Sequence, residues 1–273
     1  PIDYAALYES REPLLRRAFS RLDGAEAQSV RDFAAANPWL GEYALYRALK
    51  ARFDQAAWFD WPDKALRDHA PAALAAARQE LAEDIAFYQA VQFWFFSQWK
   101  ALKDHANGLG VQIIGDLPIY VSLDSADVWS ERREFLLDET GRPSRVAGVP
   151  PDYFSAEGQL WGNPLYDWAA QKRDGFGWWI RRVEGASRLF DAIRIDHFRA
   201  FERYWSIPAG AETAKEGQWE PGPGMDLLRV LTGWFPHITY IAEDLGLLTP
   251  EVHQLREAAG LPGMKVLEFA FSG

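Results

Sequence analysis

The stretch Phe190-Asp191-Ala192-Ile193-Arg194-Ile195-Asp196-His197-Phe198-Arg199 decides how the rest of the chain is read. Its centre is apolar and β-branched, as in a short buried strand, and it runs directly into a concentration of charge. Side chains alternate along a strand, so Ile193 and Ile195 face one side while Arg194 and Asp196 face the other. Charge buried at a strand end must be partnered, because an unpaired buried carboxylate protonates instead. Two readings compete here, an ion pair that caps the strand and a functional centre.

Working outward, the quoted strand is one of four. The first spans Val111 to Gly115 and leads into Asp116-Leu117-Pro118-Ile119-Tyr120-Val121. A helix from about Gly175 to Leu189 precedes the quoted strand, and another covers about Met225 to Phe235. The third strand, Ile238 to Ala242, ends in Glu243-Asp244-Leu245-Gly246. A helix over Pro250 to Ala259 and a last strand from Met264 to Phe269 follow. Alternating helices and apolar strands are the signature of parallel βα units. A chain of 273 residues has the length of a single α/β barrel, typically ~250 residues, although four strands are half of what closure needs. No Gly-x-Gly-x-x-Gly follows a strand, which weakens a dinucleotide-binding reading.

Residues 1–107 read as helices without a strand. The helices are placed at Pro13 to Leu22, Glu26 to Ala36, Pro38 to Phe53, and a very long one from Pro71 to Asn107. In the last, Leu81, Ile85, Tyr88, Val91, Phe95, Trp99 and Leu102 recur at helical spacing. Phe87, Phe93, Trp94 and Phe96 add apolar surface elsewhere, so burial nearly all round is expected. A hairpin is expected at Asp138-Glu139-Thr140-Gly141. Gly148 to Pro164, rich in Gly, Pro and aromatics, reads as a rigid loop too irregular for helix or strand. The whole is read as a single catalytic unit over 1–273, with a helical segment to 107 and βα units from 108.

The net charge is −10 and there is no long basic run, so nucleic acid and anionic membranes are poor partners. No run of ~18 apolar residues suggests a membrane span, and residues 1–30 lack a signal-peptide core. Without cysteine, disulfides and thiolate chemistry are excluded, and a cytoplasmic location is expected. Thirteen Trp, 17 Phe and 10 Tyr supply either a large aromatic core or flat faces for sugar rings.

Asp116, Asp196 and Glu243 end three of the four strands at their carboxyl ends, where parallel barrels build active sites. With Glu243 facing inward, so do Ile241 and Thr239, while Tyr240 and Ala242 face the helices and Asp244, on the other side, is structural or solvated. Two carboxylates on one rim suit glycosidic bond chemistry, one neutral to protonate the leaving oxygen and one anionic. Arg194 would lower the pKa of Asp196, whereas Glu243, without an arginine in its motif, is the candidate for a raised pKa. A divalent metal is the competing use, and a neighbouring guanidinium argues against it.

The segments Asp116 to Val121, Gly148 to Pro164, Arg194 to Arg199 and Ala242 to Gly246 together resemble the 4-α-glucanotransferases of glycoside hydrolase family 77, the amylomaltases or disproportionating enzymes. The resemblance implies a partial (β/α)8 TIM barrel, about strands 3 to 6, acting on α-1,4-glucans or maltooligosaccharides by retaining double displacement. By the same resemblance, Asp196 matches the nucleophile, Glu243 the general acid/base and Arg194 the arginine that positions the nucleophile. Asp116 matches the aspartate that supports this arginine and the sugar site. Tyr153 and Trp161 match aromatics of a loop covering the glucan, and His197 reads as a structural, hydrogen-bonded histidine. No cofactor or metal is implied. The family's first two strands are expected before residue 1, and its third carboxylate beyond Gly273. The expected activity is transfer of a glucan segment to glucose or maltodextrin. Hydrolysis by a related enzyme, or an inactive piece that only binds glucan, are the alternatives.

Overall fold

The computed structural model describes residues 2–153, 155–246 and 248–271. Phe154, within the aromatic segment, lies outside them. The chain forms two compact units, Pro1–Leu102 and Lys103–Gly273.

The first unit is helical. Asp3 opens α1 (Tyr4–Phe19) by accepting the Ala6 amide, so Pro13 lies inside the helix instead of starting it. Next come α2 (Gly24–Ala36), capped by Asp23 and ended at Asn37-Pro38, then α3 (Trp39–Arg52) and the single turn α4 (Lys64–Arg67). The long helix expected from Pro71 is two, α5 (Pro71–Glu80) and α6 (Ala82–Gly108), separated at Leu81. Leu81 packs with Ile85 and Val91 on the cluster of Ala44, Ala48, Phe87 and Tyr88, so the break falls where the chain meets α3. Only Phe87, Tyr88 and Ala90 of α6 are buried, and Phe95 and Leu102 are exposed, which corrects the expectation of burial all round. No helix among the described residues is long and apolar enough to cross a membrane.

The second unit is α/β. Its strands and helices are β1 (Ile114–Leu117), α7 (Ala126–Ser130), β2 (Arg145–Val149), β3 (Gln159–Pro164), α8 (Trp168–Arg173) and α9 (Gly177–Leu189). They continue with β4 (Ala192–Ile195), β5 (Arg203–Pro208), β6 (Gln218–Pro221), α10 (Gly224–Trp234), β7 (Thr239–Ala242) and α11 (Pro250–Ala258). The parallel sheet has the order β1-β4-β7, with Asp116 beside Arg194 beside Ile241.

The sheet's outer face is apolar. Ile193, Ile195, Tyr240 and Ala242 are buried, and the Tyr240 hydroxyl donates to the Leu231 carbonyl of α10. Gly115 lies under the Phe190 ring, with no room for a Cβ. Asp191 fixes the start of the sheet, accepting from Lys103 Nζ at 2.6 Å, Asn107 Nδ2 at 2.8 Å and the Ile113 amide at 2.8 Å. With Lys103 as the main cause, these partners hold its carboxyl down at about 2.

Two expectations fail in the second unit. Met264 to Phe269 is not a strand but coil leading into a short 3-10 turn, Leu267–Phe271. The Pro262 carbonyl still bonds the Ala242 amide beside β7. Two residues on, however, the Met264 amide is taken by the Asp244 side chain at 2.7 Å, which diverts it from a ladder. Among the described residues the parallel sheet therefore has three strands, not four.

The second failure is Gly148 to Pro164, which supplies the end of β2 and all of β3 in an antiparallel sheet of order β3-β2-β5-β6. A bulge between Val146 and Gly148 breaks the alternation, and the Gln159 carbonyl occupies the space where a Cβ on Gly148 would go. The tight turn at Asp138–Gly141 is present, with Leu137 bridged to Pro143.

Part of the aromatic content is core. Tyr166 is buried among Tyr120, Phe135, Trp168, Trp178 and Trp179. Its hydroxyl donates to the Ile119 carbonyl at 2.6 Å, which pins the connection after β1.

Candidate active site

The carboxyl ends of β1, β4 and β7 carry the charged residues. Alternation along β4 puts Arg194 and Asp196 on the face opposite the buried isoleucines, and the register sets Asp116 beside Arg194. Asp196 and Glu243 each follow the paired residues Ile195 and Ala242, so they stand side by side on neighbouring strands. The backbone supports this level, with Asp196 N–H donating to Leu117 and Glu243 N–H to Ile195.

Arg194 links the cluster. Its Nη1 donates to Asp116 Oδ1 at 2.6 Å, its Nη2 approaches Asp196 Oδ1 at 2.9 Å, and its Nε–H points at the Met264 sulfur, 3.3 Å away. The side chain of Arg194 is 27% exposed and that of Asp196 39%, so the aspartate stays open to an incoming molecule. A guanidinium between two carboxylates also takes the place a metal ion would need. Among the described residues, no three His, Cys, Asp or Glu side chains are placed to hold one.

Glu243 has different surroundings. Its Oε2 accepts the His197 amide and its Oε1 the Leu245 amide, each at 3.0 Å. Burial pushes its carboxyl above the ordinary range. The Leu245 amide opposes this, the Asp196 anion adds to it, and Arg194 and the His197 amide pull down more weakly. Asp244 points away from the cluster, buried against Arg256 at 3.2 Å.

The aromatic rim comes from the antiparallel sheet. Trp161 on β3 sets its ring edge-on to His197, with centroids 4.9 Å apart, and also meets Tyr120. Asn163 holds β3 in place by donating to the Val121 carbonyl at 2.9 Å. Tyr153 lies on the β2–β3 connection and stands 73% exposed. The structure thus gathers Asp116, Arg194, Asp196 and Glu243 into one cluster with Trp161 at its edge, while Tyr153 projects into solvent.

Several parts of the site carry no sequence signal. The amides of His197 and Leu245 are backbone groups, and the Met264 sulfur arrives from a segment that reads as a strand. The contact of Arg194 with Asp116 is implied by the family resemblance, and the strand register sets the two side by side.

The family model described as 4-alpha-glucanotransferase, glycoside hydrolase family 77, matches residues 1–273. The chain belongs to the 4-alpha-glucanotransferase family. It is 50% identical over 275 residues to the 4-alpha-glucanotransferase of Thermus thermophilus, covering 99% of this chain and 55% of that protein. It is 45% identical over 273 residues to the Streptococcus pneumoniae 4-alpha-glucanotransferase, covering 99% and 54%. The solved amylomaltase from Streptococcus agalactiae in complex with acarbose superposes with a TM-score of 0.95 at 40% identity, covering 99% of this chain and 55% of that one. The chain therefore spans about half the length of the 4-alpha-glucanotransferases it matches.

Proposed function

We propose that this chain carries the nucleophile and the general acid/base of a cytoplasmic 4-α-glucanotransferase, on three strands of a (β/α)8 barrel. The carrying observation is the contrast between two neighbouring carboxylates. Asp196 is paired with a guanidinium and open to solvent, whereas Glu243 is recessed and shifted toward its neutral form. A carboxyl held toward its neutral form beside one held by a guanidinium suits the acid and the nucleophile roles respectively.

In the first half-reaction the Asp196 carboxylate attacks the anomeric carbon of an α-1,4-linked glucan. Glu243 gives its proton to the departing glycosidic oxygen as that bond breaks, leaving a glycosyl ester on Asp196. In the second half, Glu243, now anionic, removes the proton of an acceptor 4-hydroxyl. That oxygen attacks the same carbon and releases Asp196. Adjacent strands lie ~4.8 Å apart, which suits the ~5–5.5 Å carboxyl separation of retaining enzymes. Arg194 holds the nucleophile's carboxylate in place, and Asp116 fixes the guanidinium from its other side. Trp161, and Tyr153 on the preceding connection, offer apolar surface to a sugar ring, favouring a glucan acceptor over water.

Incubation of the full-length protein with maltotriose tests transfer against hydrolysis. Products longer than maltotriose are expected. Exclusively shorter products would assign the protein to hydrolysis instead.

A further inference from the structure

His197 is one of the few non-glycine residues in the left-handed region, at φ 49° and ψ 48°. Histidine enters this region more readily than most side chains, but β-branched residues there are outliers. The position is locked from behind, because Phe198, Ala200 and Phe201 of the following 3-10 turn are all fully buried. At this bend the parallel ladder stops. The Asp196 amide still bonds the Leu117 carbonyl, but the next amide, that of His197, donates to Glu243 Oε2 at 3.0 Å. The other carboxyl oxygen receives Leu245 N–H. The two amides hold the carboxyl from both sides.

The ring contributes differently. It packs edge-on against Trp161, and burial, aided by Arg199, lowers its pKa to about 4. At neutral pH it brings no charge to the cluster.

We propose that His197 is a positioning residue that acts through its left-handed backbone, which aims its amide at Glu243, and not through its imidazole. The proposal rests on the reading of Glu243 as general acid/base. An amide donor favours the carboxylate form, so its loss raises the Glu243 pKa. The acid then stays protonated to higher pH, and the basic limb of kcat/KM moves up. The charged groups that act on Glu243 are Asp196 and Arg194, both on or just after β4, and both stay unchanged in the variants below.

The test uses the full-length protein and maltotriose, comparing His197→Gly and His197→Asn with His197→Val and Glu243→Gln. Glycine and asparagine tolerate the left-handed bend, so both should keep kcat within about threefold and leave the basic limb in place. Valine does not tolerate it, and should lower kcat about 10-fold or more and shift the basic limb upward. Loss of kcat in the Gly and Asn variants comparable to that in Glu243→Gln would overturn the proposal in favour of the ring, whether or not the Val variant folds. A folded Val variant with unchanged kcat and pH profile would overturn it as well. Turnover retained by Glu243→Gln would instead refute the acid/base assignment itself, which keeps the two failures distinguishable.

Discussion

A guanidinium presents its N–H groups in a flat fork, and Arg194 directs three of its nitrogens to three targets, Asp116, Asp196 and the Met264 sulfur. An ammonium at the same place keeps the charge but cannot span both carboxylates in one plane. Arg194→Lys in the full-length protein should therefore lower kcat on maltotriose about 100-fold while KM changes little. Near wild-type kcat would show that charge alone suffices.

At Glu243 the expected signature is a pH profile. The carboxyl must be protonated to act as the acid, and its pKa is raised, so kcat/KM should fall on a basic limb lying above the ordinary glutamate value of ~4.3. Glu243→Gln should abolish that limb along with most of the activity. These residues were legible in the sequence because strand alternation depends only on local spacing. The Arg194–Asp196 pair, the inward face of Glu243 and the outward face of Asp244 all follow from counting by two.

At the scale of elements, two small features hold the sheet. Gly115 has no space for a methyl group beneath Phe190, so Gly115→Ala should destabilise the protein by about 1–3 kcal/mol, seen as a lower Tm. Asp191 gathers the end of α6, the approach to β1 and the start of β4. Its folded pKa of about 2 lies below the unfolded value of ~3.9, so its contribution is complete above about pH 4 and lost as pH falls toward 2. Asp191→Asn should lower Tm at pH 7, with the gap to wild type closing below pH 4. A gap that persists at the lowest pH would point to packing instead of charge.

Legibility was poorer among the elements than among the residues. The antiparallel sheet escaped notice because Gly148 introduces a bulge and β3 carries Gly162 and Pro164, which read as loop. Met264 to Phe269 failed in the other direction. It has the apolar character of a strand, but an Asp244 side chain twenty residues earlier in the chain captures the Met264 amide. Composition cannot reveal such a contact.

For the whole molecule, β1 and β7 are the outer strands of the parallel sheet among the described residues, and on the outer side of β7 the Ala242 amide bonds the Pro262 carbonyl. Leu109, Val111 and Ile114 beside β1 are exposed. Open strand edges beside apolar surface favour association. The 273-residue chain on its own should self-associate in size-exclusion chromatography and leave maltotriose unextended. A monodisperse preparation that makes longer maltooligosaccharides would contradict this. The alternation of strands and helices revealed the parallel α/β architecture at this scale.

The central claim is that Asp196 becomes covalently bonded to the glucan. The direct measurement uses full-length Glu243→Gln with maltosyl fluoride, whose leaving group needs no proton from an acid. After quenching at low pH and proteolysis, mass spectrometry should find the maltosyl mass on Asp196, in the peptide around Arg194–Arg199. Consumption of the fluoride with the adduct on another carboxylate, or with no adduct at all, would contradict the account.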